Sequence, residues 1–281
     1  MTKIAVTGAS GQLGRLAIAA IKARNASSDV VALVRNPAAD LGVPARAFDY
    51  TKPETLAPAL AGVDVLVLIS SNDFNDRAGQ HKNVIAAAKS AGVGRIIYTS
   101  ILKGAASPMV LAQDHIATEA ALAESGLTTT ILRNGWYTEN YTGSLAGSVA
   151  AGAMIGSSGD GKNASAPRAD YAEAIAVAAL DASHAGKVYE LAGDTGHTMA
   201  EFAAEVSKVL GKPIPYNDLP QDAYRDILVS FGLPEGVAFV LADSDAKAKD
   251  GALFDDSRTL SRLIGRPTSA ISGPIAEALK G

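Results

Sequence analysis

Short β-branched runs alternate with amphipathic helical patterns through the first half of the chain, and this alternation restricts the fold more than any other feature. Lys3 to Thr7, Val30 to Val34, Ala45 to Phe48, Val65 to Ile69, Arg95 to Thr99 and Thr128 to Leu132 read as strands bounded by turn signals. Several are apolar on both faces, as strands are when helices cover a parallel sheet from both sides. The covers are legible between them. Leu13, Leu16, Ala17, Ala20 and Ile21 make one stripe on a helix over Gln12 to Arg24, and Val84, Ile85 and Ala88 make another before Gly92. Leu111, Ile116, Ala120, Leu122 and Ala123 outline a third, stopped by Gly126. Such β-α-β-α order predicts an α/β fold with a right-handed, doubly wound parallel sheet.

The second half is less regular. A helix from about Asp170 to Ala182, a strand at Lys187 to Leu191 and a helix from Met199 to Leu210 continue the pattern. Asp170 reads as the N-cap of the first of these helices, with Glu173 at the capping-box position. Beyond Gly211, Pro213, Pro215, Pro220, Pro234 and Pro267 punctuate short amphipathic segments at Tyr224 to Phe231, Val237 to Leu241 and Ser257 to Ile264. The expected division is a first domain over 1–150 continued by 165–210, and a small, mostly helical subdomain over 151–164 and 211–281 that covers the open edge of the sheet. Ile155 to Gly161 reads as a flexible turn.

Gly8-Ala9-Ser10-Gly11-Gln12-Leu13-Gly14 follows the first strand directly and opens the first helix. A glycine at the strand end permits a tight turn, a second admits a pyrophosphate close to the backbone, and a third lets helix and sheet pack closely. The helix N-terminus then faces the anion. The sheet is therefore expected to be of Rossmann type, with a dinucleotide on its carboxyl edge. At the end of the second strand stands Val34-Arg35-Asn36-Pro37, where an acid would hold a ribose 2′-hydroxyl. Arg35 instead suits the 2′-phosphate of NADPH, or is a solvated surface arginine. Asp49, after the third strand, fits the adenine amino group or a turn. Ser70 and Ser71 after the fourth strand and Thr99 at the end of the fifth face the ribose and nicotinamide side, or cap the following turns.

A carbonyl-reducing enzyme of this architecture carries Tyr-x-x-x-Lys on the helix after the fifth strand, a phenol to donate a proton and a lysine to lower its pKa. At that spacing this chain has Leu111 and His115. Without the dyad, direct hydride transfer to an electron-poor conjugated acceptor such as a quinone is favoured, because water can protonate a hydroquinone anion. His115 could orient the nicotinamide ribose or donate a hydrogen bond to a quinone oxygen; a capping or surface histidine is the plain alternative. Arg133 to Tyr141 holds the single Trp and two of eight Tyr of a chain that is 5% aromatic. Trp136, Tyr137 and Tyr141 would stack on a flat acceptor, or anchor a packed core.

Composition narrows the classes further. Zero cysteines exclude disulfides, thiolate zinc sites and thiol nucleophiles, and no metal is expected because His81, His184 and His197 have no partner at ligand spacing. A formal charge of −4, from 25 basic and 29 acidic residues, argues against a nucleic-acid partner. No apolar run approaches the roughly 20 residues of a membrane span, and the N-terminus has no signal-peptide pattern, so the cytoplasm is the expected compartment. Oligomeric state stays open.

The motifs GASGQLG, Val-Arg-Asn-Pro, LISS, YTS, DHIATE, ILRNGWYTENY, IGSSGDGK, KVYELAGD, GLPEG, LADSD and LFDDS with LIGRPT together resemble the bacterial type-2 NADPH quinone oxidoreductases. These form part of the NmrA-like branch of the atypical short-chain dehydrogenases. The resemblance runs over nearly the whole chain. It implies an NADPH-binding Rossmann domain, a small C-terminal domain, and a quinone acceptor bound in the cleft between them. By position, Gly8, Ala9, Ser10, Gly11, Gln12 and Leu13 would cradle the pyrophosphate, Arg35 would bind the 2′-phosphate, and Asn134, Gly135, Trp136 and Tyr137 would lie along the nicotinamide. A related branch reduces triphenylmethane dyes, and a dinucleotide-binding redox sensor without turnover is the alternative from another class.

Overall fold

A computed structural model describes residues 2–38, 40–73 and 75–280. In chain order β1 (Lys3–Thr7), α1 (Gln12–Arg24), β2 (Asp29–Val34), β3 (Ala45–Ala47), α2 (Leu56–Ala59), β4 (Val65–Leu68), α3 (Arg77–Ser90), β5 (Arg95–Ile101), α4 (Ala112–Ser125) and β6 (Thr128–Asn134) realise the expected alternation. There follow α5 (Glu139–Thr142), α6 (Leu145–Ala151), β7 (Met154–Gly156), α7 (Arg168–Leu180), β8 (Val188–Leu191), α8 (Met199–Leu210) and β9 (Tyr216–Asp218). Four helices close the described chain: α9 (Gln221–Ser230), α10 (Glu235–Ala246), α11 (Thr259–Ile264) and α12 (Ser272–Ala278).

Seven strands form one sheet in the order β3-β2-β1-β4-β5-β6-β8, and the pairs from β3 through β6 are parallel. The order reverses between β1 and β4, which makes their carboxyl ends the place where such sheets bind ligands. β4 and β5 are buried along their whole length, so their apolar runs are covered on both faces. β5 and β6 run two residues beyond their apolar stretches because their ladder stays in register to Ile101 and Asn134.

The chain divides into two compact units, one of residues 1–104, 114–134 and 168–189, the other of 105–113, 135–167 and 190–281. Segments 105–113, 135–150, 165–167 and 190–210, expected with the sheet, group by contact with the C-terminal segments. In the first unit Leu33, Leu56, Leu60, Leu66, Leu68, Ile96 and Tyr98 belong to one buried cluster. In the second, Leu145, Met154, Met199, Phe202, Val206, Ile214 and Ile275 form another, which explains why α6 and α8 belong there.

Three local readings change. Asp170 is not an N-cap: helix α7 already begins at Arg168, and Asp170 lies fully buried in its first turn. The capping box belongs to α8, where Thr198 Oγ1 accepts from the Glu201 amide at 3.1 Å and Glu201 Oε2 accepts from the Thr198 amide at 2.8 Å. The segment expected as a flexible turn starts inside β7, which pairs in parallel with β9. Its Ser157 and Ser158 are buried against Asp245, whose carboxylate accepts from the Ser157 amide and the Ser158 hydroxyl, both at 2.5 Å.

Candidate functional site

The turn after β1 has the geometry its glycines require. Gly8 adopts φ +57, a left-handed conformation, and accepts from the Gly11 amide at 2.9 Å. A Cβ on Gly14 would stand 2.3 Å from the Gly8 carbonyl oxygen and 2.7 Å from Ala9 Cα, so α1 can lie this close to the turn only with glycine there. Ala9 and Leu13 are buried and fasten the turn to the core, while Ser10, Gly11 and Gln12 are exposed. Helix α1 starts with no side-chain cap and no acid in its first turn, in contrast to α8. Its leading amides and positive dipole end are therefore available to an external anion. This cradle fits the pyrophosphate of a dinucleotide.

Arg35 stands exposed just past β2. Nearby, the Asp49 carboxylate accepts from the Thr51 amide at 3.0 Å and from the Thr51 hydroxyl at 2.8 Å, which is the turn-forming role. Burial opposes its ionisation, but these bonds and the charges of Lys52 and Arg35 together lower its pKa. This end of the sheet thus carries two cations close to one occupied carboxylate.

At the carboxyl ends of β4 and β5 the polar groups are mostly committed to one another. Thr99 Oγ1 accepts from the Ser70 amide at 2.9 Å. Ser71 donates its hydroxyl to Gln80 Oε1 at 2.7 Å, donates its amide to His81 Nε2 at 2.9 Å, and accepts Arg77 Nε on its carbonyl at 2.6 Å. Ser71 and Thr99 therefore brace the floor of this edge, and Ser70 is the half-buried hydroxyl between them. Ser100 Oγ reaches Glu119 Oε1 at 2.5 Å, and Glu119 takes Arg133 in a two-pronged ion pair at 3.0 and 2.6 Å.

His115 lies in the first turns of α4, 6% exposed, with Nδ1 2.8 Å from the hydroxyl of fully buried Tyr98. Leu111 lies just before α4. The phenol that meets His115 comes from the middle of β5 rather than from the helix, and its partner is an imidazole rather than a lysine. Burial raises the Tyr98 pKa. Burial first, then the charges of Arg77 and His81, push His115 well below the ordinary imidazole value. His81, on α3, is lowered to about 3 by burial and by Arg77. No group in this cluster is a ready proton donor at neutral pH. From the sequence, Tyr98 is expected to turn its hydroxyl toward the cofactor side and His81 to have no partner at ligand spacing; instead Tyr98 is fully buried and meets His115, and His81 packs beside it.

Asn134 ends β6, buried, its carbonyl accepting from the Leu102 amide at 2.9 Å. Gly135, Trp136 and Tyr137 belong to the second unit. Gly135 donates to Leu191 at 2.7 Å, Trp136 accepts from Ala166 at 3.2 Å, and Tyr137 forms a parallel bridge with Ala166. Both aromatic rings are half-buried. Tyr141 packs on Phe202 with centroids 5.5 Å apart, and its hydroxyl accepts from Asn163 Nδ2. That engagement gives Tyr141 the role of a core anchor in its own unit. Among the described residues no group of three or more His, Asp or Glu is placed to hold a metal ion, and no helix is long and apolar enough to cross a membrane.

The fold, its switch point and the glycine cradle define a dinucleotide-binding protein. The chain belongs to the NAD(P)H-binding family, whose model matches residues 8–182. It is 50% identical to quinone oxidoreductase 2 of Escherichia coli over 278 residues, 97% of each chain. The crystal structure of the NADPH-dependent quinone oxidoreductase from that organism, complexed with NADPH, superposes with a TM-score of 0.94 at 49% identity, covering 98% of this chain and 99% of that one. A triphenylmethane reductase from Citrobacter sp. superposes with a TM-score of 0.92 at 34% identity, covering 99% and 100%.

Proposed function

We propose that the protein is an NADPH-dependent oxidoreductase that passes a hydride directly to a quinone. One observation carries this reading. The site edge that holds the glycine cradle offers, where a Tyr-x-x-x-Lys dyad would supply a proton, a buried phenol paired with a neutral imidazole. An aliphatic ketone would develop an alkoxide there with no acid to meet it. A quinone forms a hydroquinone anion, far less basic, which water protonates. Likeness over the full chain to a quinone oxidoreductase supports the same acceptor class.

When bound, NADPH supplies the hydride, two electrons with one proton. Gly8 to Leu13 hold the pyrophosphate, and Arg35 holds the 2′-phosphate. Ser70 and Asn134 would line the ribose and nicotinamide side. His115 donates a hydrogen bond to the acceptor's oxygen as negative charge develops on it. The balance closes with one proton taken from water, which completes the hydroquinone.

Mixing the protein with NADPH and a simple benzoquinone, and following loss of the reduced nicotinamide absorbance, tests this reading. Saturable oxidation above the uncatalysed rate is expected. Tight NADPH binding without turnover would favour a redox sensor, and turnover with crystal violet in place of quinones would favour a dye reductase. Arg35→Ala should raise the KM for NADPH about tenfold to a hundredfold, the worth of a charge-assisted contact, and leave that for NADH nearly unchanged. Equal losses for both nucleotides would contradict the 2′-phosphate assignment.

A further inference from the structure

The hydrogen bonds around His81 admit only one arrangement of protons. The Ser71 backbone amide donates to His81 Nε2 at 2.9 Å, and an amide nitrogen cannot accept, so Nε2 carries no proton. The proton of the neutral ring is then on Nδ1, 2.9 Å from Thr118 Oγ1. An independent contact agrees: Thr118 Oγ1 gives its own proton to the Asp114 carbonyl at 2.7 Å and is left to accept from His81.

Tyr98 is the next group in the chain of contacts. Its hydroxyl lies 3.5 Å from His81 Nδ1 and 2.8 Å from His115 Nδ1. The Thr118 hydroxyl also neighbours the phenol but already accepts from His81 and donates to Asp114; with His81 Nδ1 protonated as well, the phenol's single proton goes to His115 Nδ1 at 2.8 Å. His115 is thereby an acceptor at Nδ1 and bears its own proton on Nε2. The rings that set these directions are held edge-on in series, Tyr50 to His81 at 6.2 Å and His81 to Tyr98 at 5.4 Å, and His81, Tyr98 and Thr118 are fully buried.

From this chain of contacts we infer that His81 and Tyr98 are positioning residues that lock His115 into its Nε2-protonated neutral tautomer, making it a fixed hydrogen-bond donor to the acceptor oxygen and not a proton source. The inference rests on the proposed place of His115 beside the acceptor. It adds a limit on the chemistry. A proton lost from His115 Nε2 would have to be replaced through Nδ1 from Tyr98, then from His81, and finally from the Ser71 amide. That amide has none to give, and Thr118 commits its proton to a carbonyl. The chain transmits orientation and polarisation, and the proton that accompanies the hydride comes from water.

Arg77 on α3, Tyr98 on β5 and Tyr50 beyond β3 face the rings, while Asp114 on α4 pairs with Arg77 at 3.7 Å and Glu119 on α4 acts on Tyr98. Arg77 opposes a positive charge on either ring, in the same direction as burial.

Long-range 15N–1H spectra of the full-length protein, recorded without nucleotide or acceptor, test the lock. Both rings should be neutral from about pH 5.5 to 8.5, the range in which an ordinary imidazole titrates, with the proton on Nδ1 of His81 and Nε2 of His115. In Tyr98→Phe, which keeps the ring and deletes the hydroxyl, His115 should populate both tautomers, and kcat with a benzoquinone should fall about tenfold, the order of one lost hydrogen bond, with the KM for NADPH unchanged. A wild-type His115 protonated on Nδ1, or a charged ring within that range, overturns the proposal, as does an unaltered His115 tautomer in Tyr98→Phe. The spectra contain no acceptor, so they can fail while quinone turnover stands, and the reverse.

Discussion

Gly14→Ala should weaken NADPH binding about a hundredfold while the protein still folds. The added Cβ would sit 2.3 Å from the Gly8 carbonyl oxygen and 2.7 Å from the Ala9 Cα, both backbone atoms of the turn itself. No side chain can swing aside to relieve this, so helix and turn must move apart. The cost is that of overpacking a tight contact, about 1–3 kcal/mol, and it falls on the amides that meet the pyrophosphate. Calorimetric titration with NADPH reads the loss, and circular dichroism checks that the helices persist. Unaltered affinity in a folded variant would mean that the turn does not hold the dinucleotide.

The second large effect is on stability in mild acid. His81 has its pKa lowered from 6.5 to about 3 by burial and by Arg77, and His115 and His197 are lowered chiefly by burial. Between these folded values and the unfolded one, the unfolded chain binds protons that the folded chain refuses. Stability is therefore complete above about pH 6.5 and is lost as pH falls below it. His81 alone, with its shift from 6.5 to about 3, contributes roughly 2–3 kcal/mol of loss by about pH 4.5 at about 1.4 kcal/mol per pH unit, and His115 and His197 act in the same direction. Ordinary carboxylates titrate mainly below about pH 5, so the fall between about pH 6.5 and 5 reports chiefly the imidazoles. Urea midpoints measured from about pH 7 down to pH 4.5 should fall steadily; a flat midpoint would mean that these rings charge freely in the native state.

What the sequence made legible follows from how local each signal is. The six strands of the first half and the helices between them declare themselves within a dozen residues, and the glycine turn within seven, because strand, turn and helix are consecutive in the chain. The position of Arg35 just past its strand is legible for the same reason. The pairing of Tyr98 with His115 is not, since the phenol comes from β5 and the imidazole from α4, and only the packing of α3 and α4 against the sheet brings His81 and Thr118 to them. Strands β7 and β9 are three residues each and find one another across about sixty residues of chain, which leaves no periodic trace in either. Tyr141 shows the reverse error. Its place in an aromatic loop suggested an acceptor, and its ring went to Phe202. The Thr198 to Glu201 capping box was present in the sequence, and Asp170 and Glu173, at the same spacing, turned out to lie inside a helix.

In the proposed reaction, hydride passes to an acceptor that needs no acid from the protein. A single comparison tests it most directly: initial rates of NADPH oxidation by the purified enzyme with a benzoquinone and, separately, with an aliphatic ketone of similar size. Rapid, saturable oxidation is expected with the quinone and none above background with the ketone. Ready reduction of the ketone with neglect of the quinone would contradict it.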